Sequence, residues 1–216
     1  MRIAHVSDLH GAYNVLNQVK DPPDLWCFTG DIFPYMGFDH HAQWGVAAFE
    51  IPHQMRWYSY KGPSIARRLQ GKPVLLVPGN HDYADLAKLL RRDGVDAQEL
   101  TPEGLEFQRV KFAGFGHIPF IQRRWNREAF TNELQDLSHR TLTVGDPEVL
   151  PTHAPPGHIL GGSHPGNGPL LTALSHLPHR VRVHLFGHIH ETGGRMVEHM
   201  GIRFYNSATT VQVLEV

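Results

Sequence analysis

At 216 residues the chain is long enough for one large domain with a single core, which makes two small domains the less natural division. Its 41% hydrophobic and 19% charged content is that of an ordinary soluble globular protein, and a formal net charge of -1 argues against a surface that coats nucleic acid. No apolar stretch approaches the roughly 20 residues that span a bilayer, and Met1-Arg2 leads directly into a strand pattern with no signal-peptide character, so no membrane partner and a cytoplasmic location are expected.

Arg2 to Ser7 reads as a first strand with a turn at Asp8-Leu9-His10-Gly11. Tyr13 to Lys20 has helical spacing, stopped by Pro22-Pro23, and Asp24 to Thr29 is a second strand ending at Gly30-Asp31. This β-α-β unit implies parallel strands and a right-handed crossover. Cys27, the only cysteine, lies in that second run and reads as a small buried hydrophobe.

The segment 32–61 is rich in aromatics and contains His40, His41 and His53, so a partly helical cap, or a contact through which a homodimer forms, is expected there. A helix starting near Pro63 leads into the strand Val74 to Val77, which ends at Pro78-Gly79-Asn80-His81-Asp82. Tyr83 to Arg92 is an amphipathic helix stopped by Gly94, and Asp82, with Asp85 three positions on, reads as its cap.

Short strands follow at 97–100, 105–107 and 110–115, then a polar helix over Arg123 to Leu137. A strand over Glu148 to Thr152 ends at His153, and the Gly- and Pro-dense stretch 154–169 reads as a loop. A helix over Leu170 to Leu177 precedes the strand Val181 to Phe186, which ends at Gly187-His188-Ile189-His190. Three antiparallel strands close the chain. The order predicts an α/β fold: two packed mixed β-sheets flanked by helices, a four-layer α-β-β-α sandwich over residues 1–216.

Histidine is the compositional anomaly, with 17 residues against 20 Lys and Arg together. Histidine is the commonest metal ligand. At the strand tips Asp8, His10, Asp31, Asn80, His81, His153, His188 and His190 recur, and five tips on one sheet face would gather them in one cleft. That is too many ligands for one ion and suits two. Mixed carboxylate, amide and imidazole ligation favours Mn, Fe or Zn over Mg or Ca. A pair of ions is the recurring machinery of in-line phosphoryl displacement.

The order D-x-H, G-D, G-N-H-D, H, G-H-x-H resembles the calcineurin-like metallophosphoesterases from residue 7 to about residue 208. T-H-A-P-P-G at 152–157, H-L-F-G-H-I-H-E at 184–191 and Y-N-S-A at 205–208 look most like the branch of brain-protein-239-type and class III cyclic-nucleotide phosphodiesterases. The resemblance implies that Asp8, His10 and His190 hold one metal, Asn80, His153 and His188 a second, and that Asp31 bridges them. It implies two divalent transition-metal ions (Mn foremost, then Fe or Zn), a hydroxide nucleophile generated from water by the ions, and His81 as proton donor to the leaving group.

The implied substrate is a small phosphodiester, such as a 2′,3′- or 3′,5′-cyclic nucleotide. A phosphomonoesterase or a nuclease on the same site are alternatives, and a catalytically silent scaffold is the alternative of another class. Many members carry a second acid three positions after the G-D aspartate, where this chain has Pro34, so Asp82 or Asp39 would take over its support of the histidine. His117, His158 with its loop neighbour His164, and Arg123 with Arg124 and Arg127 are candidate substrate contacts, each with a solvated surface position as the alternative.

Overall fold

The computed structural model describes residues 1–36, 46–69, 71–121, 123 and 125–216. The expectations placed on Phe38, Asp39, His40, His41, Trp44 and Arg124 lie outside these residues. The strands are β1 (Arg2–Val6), β2 (Leu25–Phe28), β3 (Val74–Leu76), β4 (Ala97–Glu99), β5 (Leu105–Phe107), β6 (Val110–Phe112), β7 (Ile118–Pro119), β8 (Glu128–Ala129), β9 (Val149–Pro151), β10 (Val183–Phe186), β11 (Arg195–His199), β12 (Ile202–Asn206) and β13 (Val211–Glu215). The α-helices are α1 (Val46–Leu69), α2 (Leu86–Arg92), α3 (Thr131–Arg140) and α4 (Gly168–His176).

One sheet has the order β13-β1-β2-β3-β4, the other β11-β12-β10-β9-β6-β5, and β7 pairs with β8 apart from both. Strands β1 to β4 run parallel, as do β6, β9, β10 and β12, while β13, β5 and β11 are antiparallel edges. Two mixed sheets flanked by helices are thus the fold that the element order predicts.

The layering follows from period-2 alternation in strands that are apolar on both faces. Ala4, Val6, Trp26, Phe28, Val74 and Leu76 pack outward against α1 and α2 through Tyr58, Ile65, Leu69, Leu89 and Leu90. Their neighbours Ile3, Leu25, Cys27, Leu75 and Val77 face the other way and meet Phe112, Val149, Val183 and Leu185 between the sheets. On the far side Leu150, Phe186 and Phe204 pack against Leu134 of α3 and Leu170 and Leu174 of α4. Cys27 is fully buried, as expected of a small hydrophobe, and burial pushes its thiol pKa up.

Several elements differ from the sequence expectation. The first helix is a 3-10 turn over Tyr13–Gln18. The chain after residue 45 is one long helix with Pro52 and Pro63 inside it, rather than a helix beginning at Pro63. Both prolines lie on its exposed face, where a carbonyl freed from its helical partner meets solvent. Its buried stripe is Glu50, Gln54, Tyr58, Gly62, Ile65, Ala66 and Leu69, a helical period that carries two polar residues at one end. The polar helix expected over 123–137 starts only at Thr131. The last strand, β13, leaves the terminal hairpin and pairs antiparallel with β1 in the first sheet.

Candidate metal centre

The polar strand tips come from both sheets, not from one sheet face: β1, β2 and β3 supply three of them, β9 and β10 the other two. Parallel bridges at Ser7–Ala208 and Phe115–Thr152 extend this end of the sheets beyond the regular strands. The loops after β1 and β2 run side by side, with Asp8 N–H donating to Gly30 O at 2.9 Å and His10 N–H to Asp31 O at 3.0 Å. Asp8, His10, Asp31 and His188 all hold positive φ, between 43° and 68°. Non-glycine residues adopt this region at a cost, and such strain gathers at functional sites.

The glycines of the motifs are explained by close approach. A Cβ on Gly79 would stand 2.1 Å from Asp31 Oδ1, and one on Gly187 2.1 Å from Asp8 Oδ2. No side chain fits there without displacing the carboxylate.

The donors converge. His190 Nε2 lies 3.2 Å from Asp8 Oδ1 and 3.4 Å from His10 Nε2. His153 Nε2 lies 2.9 Å from Asn80 Oδ1 and 3.4 Å from Asp31 Oδ2. Two groups, Asp8–His10–His190 and Asp8–Asp31–His153, bring their ligand atoms within 4.8 Å of one another. His188 packs its ring 5.0 Å from that of His153, and its backbone N–H donates to Asp8 Oδ2 at 2.8 Å. The other nitrogen of His153, Nδ1, donates to Thr29 O at 2.7 Å, which turns Nε2 toward the centre. A set of imidazoles, carboxylates and one amide, with nitrogens and oxygens this close, fits a pair of divalent transition metals.

Electrostatics point the same way. Burial works against the charge on Asp31 and Asp8, but His153 and the neighbouring histidines outweigh it and hold both carboxylates below their usual range. Burial likewise opposes charge on His153, and Asp31 and Asp8 nevertheless raise it to about 9. His153 and the two buried carboxylates thus favour opposite charges on one another, the electrostatic setting in which a cation is also stabilised.

Asp82 is not the helix cap. Asp85 caps α2, accepting from Lys88 N–H. The Asp82 carboxylate, 3% exposed, accepts from Asp31 N–H (2.8 Å) and Gly79 N–H (2.9 Å) on Oδ2, and from Ile32 N–H (3.0 Å) and Phe33 N–H (3.1 Å) on Oδ1. It clamps the loop after β2 to the loop after β3. Burial and the nearby Asp31 charge raise its pKa while these N–H groups oppose the rise.

A second clamp was not foreseen. Gln54 of α1, fully buried, donates from Nε2 to His81 O at 2.6 Å and accepts from Tyr83 and Ala84 N–H at 2.9 Å each.

His81 stands above Asp31: its N–H donates to Asp31 Oδ1 at 2.7 Å, and its Nε2 lies 3.9 Å from Asp31 Oδ2. Its ring is edge-on to Tyr35 at 4.6 Å and Trp125 at 4.5 Å, and Nδ1 is buried with no hydrogen-bond partner among the described residues. Burial holds its pKa down to about 4, against the pull of Asp31. Among the described residues no carboxylate supports Nδ1, and Asp82 spends its oxygens on backbone N–H groups instead; Asp39 lies outside the described residues.

The centre opens into a cleft of about 350 Å³ lined by His10, Asp31, Asn80, His81, His188 and His190, with Ile121, Trp125, His164, Ile189 and Glu191 around them. A smaller cavity of about 140 Å³ lies behind the 82–86 turn and contains none of the converging donors except the clamp Asp82.

Of the candidate substrate contacts, His164 lines the main cleft, while His117, His158 and Arg123 are not among its lining residues. His117 faces a separate groove with Glu133 and Asp136 of α3, His158 is exposed on its loop, and Arg123 is exposed beside Ile121. Ile121 and Trp125, which were not among the candidates, line the main cleft as well.

A family model described as calcineurin-like phosphoesterase matches residues 1–192, so the chain belongs to that family of metal-dependent phosphoesterases. No curated protein matches the chain.

Proposed function

We propose that this calcineurin-like phosphoesterase hydrolyses small phosphodiesters with two divalent transition-metal ions, manganese foremost. Asp8, His10 and His190 would hold one ion, Asn80, His153 and His188 the other, and Asp31 would lie between them. The observation that carries the reading is the convergence of these donors from five strand tips, with His81 Nε2 only 3.9 Å from Asp31 Oδ2. When bound, such ions neutralise phosphoryl charge and make a water acidic enough to serve as a nucleophile near neutral pH.

The protein's own groups do the rest. The clamps at Asp82 and Gln54 hold the 79–84 turn, so Asn80 and His81 keep fixed places relative to Asp31. His81 in the free protein is neutral, because burial lowers its pKa to about 4. An arriving phosphodiester anion favours the charged ring, so His81 takes up a proton from water as substrate binds and passes it to the departing oxygen as the P–O bond breaks.

Glu191 on the cleft wall opposes the second charge of a monoester dianion, which favours diesters. The likeness of residues 152–157, 184–191 and 205–208 to the brain-protein-239-type and class III cyclic-nucleotide phosphodiesterases supports cyclic nucleotides among them.

A series of aryl and alkyl diesters assayed with Mn²⁺ tests the role of His81. His81→Ala should slow diesters of poor leaving groups about 100-fold or more and spare those of acidic phenols. Equal losses across the series would rule out proton donation.

A further inference from the structure

The wall of the cleft beside His81 is built by a loop that supplies none of the converging donors. Between β7 and β8 the chain curls around one carboxylate: Glu128 accepts from Ile121 N–H (2.6 Å) and Arg123 N–H (2.8 Å) on Oε2, and from Trp125 N–H (2.7 Å) on Oε1. Hydrogen bonds to a charged acceptor are about twice as strong as neutral ones, so these three fix the loop. Arg123 and Arg127 take positive φ, 56° and 61°, to close the curl. Asn126 Nδ2 donates to Asp82 O at 2.9 Å and joins the loop to the turn that carries His81.

The construction serves to display apolar side chains. Trp125 stands 4.5 Å from the His81 ring and 5.7 Å from Tyr35, while Ile121 is 41% exposed on the same cleft. Ile189, also on the cleft, is only 2% exposed.

We propose that this loop is a leaving-group subsite, in which Trp125 and Ile121 contact the planar aromatic body of the departing alcohol, aryl or nucleoside. The inference rests on the reading of His81 as proton donor: the departing oxygen must come within reach of His81, so the group it carries lies along the Trp125 wall. Glu128 and Asn126 act as positioning residues for that wall.

The test has a binding arm and a turnover arm. Methyl benzylphosphonate, in which a methylene replaces the bridging oxygen, and its saturated counterpart methyl cyclohexylmethylphosphonate are titrated calorimetrically into the Mn²⁺-loaded protein. The wild type should bind the benzyl compound about tenfold more tightly, Trp125→Ala should lose this preference, and Trp125→Phe should retain most of it. Manganese content should be the same in all three proteins.

In turnover, methyl phenyl phosphate is compared with a methyl fluoroalkyl phosphate of matched leaving-group acidity. Trp125→Ala should lower kcat/KM about tenfold for the aryl diester and less than twofold for the other. Equal affinity of the wild type for the two phosphonates would overturn the subsite. A benzyl preference with no hydrolysis of either diester would overturn the diesterase reading and leave aromatic binding at the loop standing. Should Trp125→Ala unfold, Ile121→Ala and Glu128→Gln carry the same prediction, and unchanged preference in both would overturn it.

Discussion

Replacing Asp82 by asparagine separates two roles that a carboxylate at this position could have. As a helix cap, aspartate and asparagine are nearly equivalent, and the change would cost little. The structure instead gives each carboxylate oxygen two backbone donors, from Asp31 and Gly79 on one and from Ile32 and Phe33 on the other. Asparagine keeps one acceptor oxygen and turns an amide NH₂ toward the remaining two N–H groups. Two buried donors then lose their partner, at about 1–3 kcal/mol each, so Asp82→Asn should destabilise the fold by about 2–6 kcal/mol. That is a large part of the roughly 5–15 kcal/mol of a typical domain. Urea denaturation followed by circular dichroism measures it, and manganese content of the folded fraction should fall as well, because Asp31 and Gly79 lose their common anchor. A change below about 0.5 kcal/mol with full metal content would refute the clamp.

Gln54→Met keeps the length of the side chain and removes all three bonds to the 81–84 backbone. It should lower kcat at least tenfold while Mn²⁺ stoichiometry is preserved, since Gln54 is a positioning residue and not a ligand; unchanged kcat would count against the second clamp. Acid stability has a different source. His5 and His184 are fully buried, and burial lowers each from 6.5 to about 3. Below the unfolded value near 6.5 the unfolded chain takes up these protons and the folded one does not, so stability is intact above that pH and falls between about 6.5 and 3. The slope is up to about 1.4 kcal/mol per pH unit for each residue. His184→Gln should flatten it in urea titrations at pH 5 and 7, and an unchanged slope would contradict the assignment.

The donors of the centre were legible because each follows a short apolar run and a tight turn, a local pattern that needs no partner to be recognised. What joins them was not. Gln54 reaches His81 from 27 residues away, and Asp82 reaches Asp31 from 51, contacts that no spacing rule reveals. Asp82 sat where a helix cap would sit, and only the three-dimensional register shows that Asp85 fills that place. His117 ends a glycine-rich strand much like the true tips, but a Cβ on Gly116 would stand 1.9 Å from Pro78 O. That tip abuts the neighbouring loop and directs His117 toward α3. Trp125 falls within the polar helix expected over 123–137, which starts only at Thr131, because nothing local announces the Glu128 curl. The two-sheet architecture was readable from element order, whereas the transfer of β13 to the first sheet depends on pairing with β1 across the whole chain.

The central claim is a centre that takes two ions between Asp8, His10 and His190 on one side and Asn80, His153 and His188 on the other, with Asp31 common to both. The most direct measurement is metal analysis of wild type and Asp31→Ala after loading with Mn²⁺ and gel filtration. The wild type should retain two manganese equivalents per chain, and Asp31→Ala should lose metal together with phosphoesterase activity while remaining folded. A wild type that retains none, or an Asp31→Ala protein that still holds two, would contradict the account.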